Sequence, residues 1–83
     1  MSGVPSTTDH AAGILLAALR NRIATALTIG DAHRRARELA KLADKIRNIV
    51  WPRALADAAH VLAFEVEDCV RYGGLARLAK EVN

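Results

Sequence analysis

Almost the whole chain repeats its apolar residues at intervals of three and four, and only three short breaks interrupt this pattern. Such spacing puts apolar side chains on one side of an α-helix. The breaks are Thr28 to Asp31, Trp51-Pro52 and Gly73-Gly74. No run alternates apolar and polar residues between turn residues, as a strand would. We therefore predict an all-α fold, a compact bundle of three main helices plus a short C-terminal helix.

The apolar stripes of these helices define a candidate core. Residues 1–7 are predicted to form a flexible tail, and residues 8–83 a single domain, with Thr7, Thr8 or Asp9 capping the first helix. The residues expected to be buried are Ala12, Leu15, Leu16, Leu19, Ile23, Ala26 and Leu27 in the first helix, Ala32, Ala36, Leu39, Ala43, Ile46 and Val50 in the second, Leu55, Ala58, Ala59, Leu62, Val66, Cys69 and Val70 in the third, and Leu75, Leu78, Ala79 and Val82 in the last.

The three breaks predict how the helices are joined. Thr28, followed by an acid three residues later, resembles a capping box at the start of the second helix. Proline is tolerated at a helix start, so the second helix should end near Val50 and the third begin at Pro52. Trp51 then either plugs the corner between them or serves as a surface contact. Gly73 and Gly74 are expected to cap the third helix, which ends near Tyr72.

Composition limits both stability and location. Hydrophobic residues make up 52% of the chain, but many are alanine, which buries little area. The single cysteine cannot form an internal disulfide, so we predict that this short chain gains stability by self-association. Residues 11–19 are apolar, yet no Lys or Arg precedes them as in a secretory signal, and no run reaches the length of a membrane span. We expect a cytoplasmic protein that does not enter membranes.

Positive charge is concentrated in the middle of the chain. Residues 20–53 hold nine Lys and Arg against three acids, whereas residues 54–83 hold three against five. Wound as a helix, the second segment places Arg34, Arg37, Lys41 and Lys45 on the side opposite its apolar stripe, together with Asn48. We call these four cations the basic ridge. They can contact phosphates of a nucleic acid, or a protein, or only solvent, supported by the pairs Glu38–Lys41 and Asp44–Arg47.

The third helix carries an unusual outer side, which we call the acidic-aromatic face: Asp57, Val61, Phe64, Asp68 and Tyr72. Solvent-facing helix positions seldom hold three large apolar groups. The first or the last helix covers them, or they bind a partner as aromatic anchors rimmed by acids. Since the basic ridge has the opposite charge, the two surfaces could also pair between copies of the chain.

One short motif points to chemistry. Arg53 and His60 stand seven residues apart in the segment RALADAAH. This segment resembles the Arg-x4-6-His motif of the HEPN family of helical ribonucleases, in which two chains bring the arginine and the histidine together to cleave RNA. It departs from the family because Ala54 stands where a polar residue usually follows the arginine. Otherwise His60 makes a surface hydrogen bond or pairs with Glu67.

Other signs of an enzyme are missing from the sequence. No two of Cys69, His10, His33 and His60 have the spacing of a zinc site, and no phosphate-binding glycine loop is present. We predict no catalytic residue, metal or cofactor, and no small-molecule substrate. The sequence favours a non-catalytic interaction or regulatory protein that binds another protein or a second copy of itself. A small nucleic-acid-binding protein is the alternative, followed by a HEPN-like ribonuclease.

Overall fold

The computed structural model describes residues 7–82, which form four α-helices and no strand. They are α1 (Thr7–Ala26), α2 (Ala32–Asn48), α3 (Arg53–Tyr72) and α4 (Leu75–Val82). Three long helices and a short last one confirm the predicted all-α bundle. The predicted flexible tail, residues 1–7, lies outside the described residues except for Thr7, where α1 begins. No described helix is both long and apolar enough to cross a membrane.

The connection from α1 to α2 is capped differently from the prediction. Asp31 is the N-cap of α2, and its carboxylate accepts the Arg34 amide hydrogen bond at 2.9 Å. Thr28 instead belongs to the turn that ends α1, where its hydroxyl donates to the Thr25 carbonyl at 2.6 Å. The predicted capping box with Thr28 as its cap is therefore wrong. Asp31 alone caps α2, and its negative charge lies close to the positive end of the helix dipole.

The corner between α2 and α3 is formed around Trp51, which is 8% exposed. Its indole Nε1 donates to the Ile46 carbonyl at 2.8 Å, so the one polar atom of the ring is satisfied. The predicted core position of Trp51 is confirmed. Val50 was wrongly placed in the apolar stripe, because α2 ends at Asn48 and the extended backbone that follows leaves Val50 96% exposed.

The connection from α3 to α4 depends on two glycines with positive φ. Gly73 (φ 90°, ψ −149°) caps α3, and its amide donates to the Cys69 carbonyl at 2.8 Å. Gly74 has φ 86°. L-residues rarely adopt these values, so glycine is required to turn the chain this sharply. The predicted glycine cap is confirmed.

A single apolar core joins the four helices, and α2 shares its most extensive interface with α3. The buried side chains are Leu16, Leu19, Ile23 and Ala26 from α1, Leu39, Leu42, Ala43 and Ile46 from α2, Trp51 at the corner, Ala59, Leu62, Ala63, Val66 and Cys69 from α3, and Leu78 from α4. Four of these fifteen are alanines, which lets helix axes approach closely. These alanines add little buried area, as the composition indicated.

Several predicted core positions lie at the edge of the bundle instead. Leu15 and Leu75 are 38% and 37% exposed, and Ala32 and Ala58 are also exposed. The buried side of α3 is turned toward Ala63 and away from Ala58. Periodicity identified the correct half of each helix, whereas the exact centre of the stripe depends on where the neighbouring helices lie.

Candidate interaction surfaces

The acidic-aromatic face is open to solvent. Val61, Phe64 and Tyr72 are 56%, 59% and 75% exposed, Asp57 is exposed and Asp68 is half-buried. The sequence left open whether another helix covers this side of α3, and neither α1 nor α4 does. Three large apolar groups along one helix face, with carboxylates between them, are an uncommon feature of a solvated surface.

The C-terminal half of this face contains a shallow depression of about 230 Å³. Its lining is Phe64, Glu67, Asp68, Arg71 and Tyr72. Small-molecule sites usually enclose a larger volume, about 300 Å³ or more. The depression therefore has the size to receive one or two side chains of a protein partner, held between two aromatic rings, two carboxylates and one guanidinium.

Contacts from α4 and α1 fix the other flank of α3. Arg77 of α4 pairs with Glu65 at 3.7 Å, and Arg20 of α1 donates to the Glu81 carbonyl at 3.4 Å. With Leu78 buried at 1% exposure, these contacts hold α4 beside α3 rather than across its outer side. This placement explains why the acidic-aromatic face stays uncovered.

The basic ridge is exposed along its whole length on α2, so its predicted direction away from the core is confirmed. Lys41 pairs with Glu38 at 3.7 Å, as the spacing indicated. Within residues 7–82, the side chains of Arg34, Arg37 and Lys45 make no hydrogen bond or ion pair. They remain available for an external anion.

The cations beside the basic ridge have structural partners that the sequence did not reveal. Arg47 forms a two-point contact with Glu67 of α3, Nε to Oε2 at 2.6 Å and Nη2 to Oε1 at 2.7 Å. The predicted Asp44–Arg47 pair is therefore wrong, because the parallel hydrogen bonds to Glu67 are the stronger geometry. Asp44 accepts from Asn48 at 3.3 Å instead. Arg35 is also engaged, donating to the Ile29 carbonyl at 2.9 Å.

The Arg47–Glu67 contact shifts the titration of both partners. The hydrogen bond from Arg47 lowers the pKa of the Glu67 carboxyl, although partial burial opposes the shift. The same hydrogen bond raises the pKa of Arg47. Glu67 is thus an ionised link between α2 and α3, and it is not the partner of His60.

The residues with potential chemical roles lie in different surroundings. Cys69 is buried, and burial raises the pKa of its thiol, so it stays protonated and unreactive near neutral pH. Arg53 and His60 are both exposed on the first half of α3. No group of three His, Cys, Asp or Glu side chains in the described part of the chain could hold a metal ion.

The sequence did not indicate that a further cation, from α1, lies beside the basic ridge. Arg22 of α1 lines an open groove of about 470 Å³ together with Arg34 and Glu38 of α2. No spacing along the chain could reveal this, since the groove arises from the way α1 and α2 pack.

No family model, curated protein or solved structure matches this chain. Its surfaces therefore carry the functional interpretation.

Proposed function

We propose that this chain is a non-catalytic interaction protein that binds a protein partner through the acidic-aromatic face of α3. The observation that carries the proposal is the exposure of Val61, Phe64 and Tyr72, at 56%, 59% and 75%, in one continuous strip. Interface centres are enriched in aromatic residues, and burying such rings supplies much of the binding free energy. Asp57 and Asp68 at the rim would select a partner that carries positive charge.

The positions of the reactive side chains support a binding role. The Cys69 thiol belongs to the core, and the Glu67 carboxylate is held by two hydrogen bonds from Arg47. Both groups therefore stabilise the bundle. The acidic-aromatic face combines exposed apolar groups with charged ones, as protein interfaces do.

A site-specific crosslinking experiment tests this proposal. A photoreactive amino acid placed at Phe64 should capture one discrete protein in cells, whereas the same group at Lys80, exposed on α4, should not. Competition by unmodified chain should reduce the capture. The proposal fails if the crosslinks at the two positions are equally weak. A circular dichroism spectrum of each variant, identical to that of the parent, ensures that the surface being compared is intact.

A second candidate function is nucleic-acid binding by the basic ridge. Arg34, Arg37 and Lys45 have no partner within residues 7–82, and Arg22 extends the same positive surface onto α1. Cations placed in this way displace counterions from phosphates. The ridge lacks aromatic side chains for stacking on bases, so contact with a duplex backbone is the mode that its chemistry supports.

Salt titration tests this second candidate. For about four phosphate contacts, the logarithm of the affinity for a duplex should fall with the logarithm of salt at a slope near −3.6. Arg37→Glu with Lys41→Glu should abolish binding, while Arg53→Glu with Lys80→Glu, which changes net charge equally, should weaken it far less. No binding to a duplex at low salt excludes this function.

We also propose a cytoplasmic location, because the only thiol, Cys69, is unpaired and buried. Reducing compartments keep such thiols free, whereas secreted small domains generally use paired cysteines. Cell fractionation checks this directly. Recovery in a secreted fraction would contradict it.

A further inference from the structure

The basic ridge and the acidic-aromatic face have matching lengths. Arg34 and Lys45, the two ends of the ridge, are eleven residues apart on α2, and Asp57 and Asp68 are eleven residues apart on α3. At the α-helical rise each pair spans about 16 Å. When the two helices are laid side by side in either direction, both carboxylates reach the cations at the ends of the ridge.

The centres of the two surfaces also match. Between its carboxylates, α3 exposes Val61 and Phe64, and between its end cations, α2 exposes Arg37 and Lys41. The long aliphatic stems of arginine and lysine cover apolar surface while their charged ends stay in water. A cation over the ring of Phe64 adds an electrostatic attraction. Charges thus meet opposite charges at the ends, and stems meet apolar groups at the centre.

We infer that the partner of the acidic-aromatic face is the basic ridge of a second copy of this chain. The inference rests on the proposed function, since it names the partner of the same face. Each copy carries both surfaces, so a pair can use two such contacts. The contact is narrow and its ion pairs are exposed, so self-association is expected to be weak and strongly salt-dependent.

Sedimentation velocity at increasing protein concentration measures the self-association. At about 20 mM salt the wild-type protein should associate reversibly in the micromolar range, and at about 0.5 M salt it should be a monomer. Reversing the ends of the ridge (Arg34→Glu, Lys45→Glu) or of the face (Asp57→Lys, Asp68→Lys) should each weaken association at least about tenfold, because like charges then meet at both ends of the contact. An equimolar mixture of the two reversed proteins should associate again.

Two controls separate surface matching from general attraction. Phe64→Ala, added to the ridge-reversed protein, should weaken the mixed association, since it removes the apolar centre without changing net charge. Arg53→Glu with Lys80→Glu lowers net charge as much as ridge reversal does, yet should leave self-association close to wild type. The inference is overturned if Arg53→Glu with Lys80→Glu weakens self-association as much as ridge reversal does.

The outcomes also distinguish this inference from the proposed function. A wild-type protein that stays monomeric at low salt and about 100 µM overturns the inference, because weak dimers dissociate only below their Kd. In that case a crosslink from position 64 to a different protein leaves the proposed function intact. Duplex binding by the monomer, lost on ridge reversal, would assign the ridge to nucleic acid instead. A monomer at low salt together with the absence of any crosslink from position 64 overturns both.

Discussion

Two glycines, Gly73 in the turn after α3 and Gly13 inside α1, predict opposite effects for the same substitution to alanine. Gly73 has φ 90° and ψ −149°, a region that residues with a Cβ rarely adopt, and nothing lies within 4 Å of a Cβ built there. The cost of Gly73→Ala therefore arises from the backbone alone, about 1–3 kcal/mol. Gly13 lies inside α1 with the same open space, so Gly13→Ala should stabilise the protein by up to about 1 kcal/mol.

These magnitudes are large for a small protein. A chain of 83 residues is expected to have a free energy of unfolding of about 4–12 kcal/mol. Each kcal/mol shifts Tm by about 4–8 °C at this size, so the two variants should melt on opposite sides of the wild type. Thermal unfolding followed by circular dichroism at 222 nm measures this. Equal Tm values for Gly73→Ala and wild type would refute the argument, because the cap would then not require a positive φ.

Three further outcomes follow from the contacts of single side chains. Trp51→Phe should destabilise the bundle by about 1–2 kcal/mol in urea unfolding, since the indole donor to Ile46 is lost, and an unchanged midpoint would contradict the corner contact. Glu67→Gln should be less stable than wild type at pH 7, and the difference should vanish in acid. The pKa of the Glu67 carboxyl is lowered in the folded protein, so its contribution to stability is complete above the ordinary pKa of 4.5. This contribution is lost as the pH falls through the folded-state pKa. Cys69 should react with a thiol reagent only as the protein unfolds, so rapid labelling of the native protein would show that its burial is incomplete.

Much of the fold could be predicted because local signals and tertiary packing agree. The apolar period, the proline at the corner and the paired glycines each indicated the same four helices, and the structure has them within a few residues. Errors occurred where two local interpretations compete. Thr28 and Asp31 are both good caps, and only the path of the chain out of α1 determines that Asp31 is used.

The side-chain partners were harder to predict, because they depend on how helices lie against each other. Arg47 could pair within α2 by spacing, but α3 brings Glu67 within 2.7 Å and offers two hydrogen bonds. Arg22 and Arg34 lie twelve residues apart in sequence and line one groove only because α1 crosses α2 there. Exposure of Phe64 likewise depended on where α4 docks, which eight residues of sequence could not specify.

The buried alanines restrict which substitutions the core can accept, and the restriction differs from that at the larger core residues. Ala43, Ala59 and Ala63 are at most 1% exposed and belong to α2 and α3, the two helices that share the most extensive interface. At Leu19 or Ile46 a smaller residue leaves a void, whereas at these alanines a larger residue must push whole helices apart. Side chains such as Leu19 and Ile46 thus cannot become smaller without loss of stability, whereas the three alanines cannot become larger. Proteins that diverge from this sequence while keeping its fold should vary freely in polarity outside but retain Ala, Gly or Ser at these three positions.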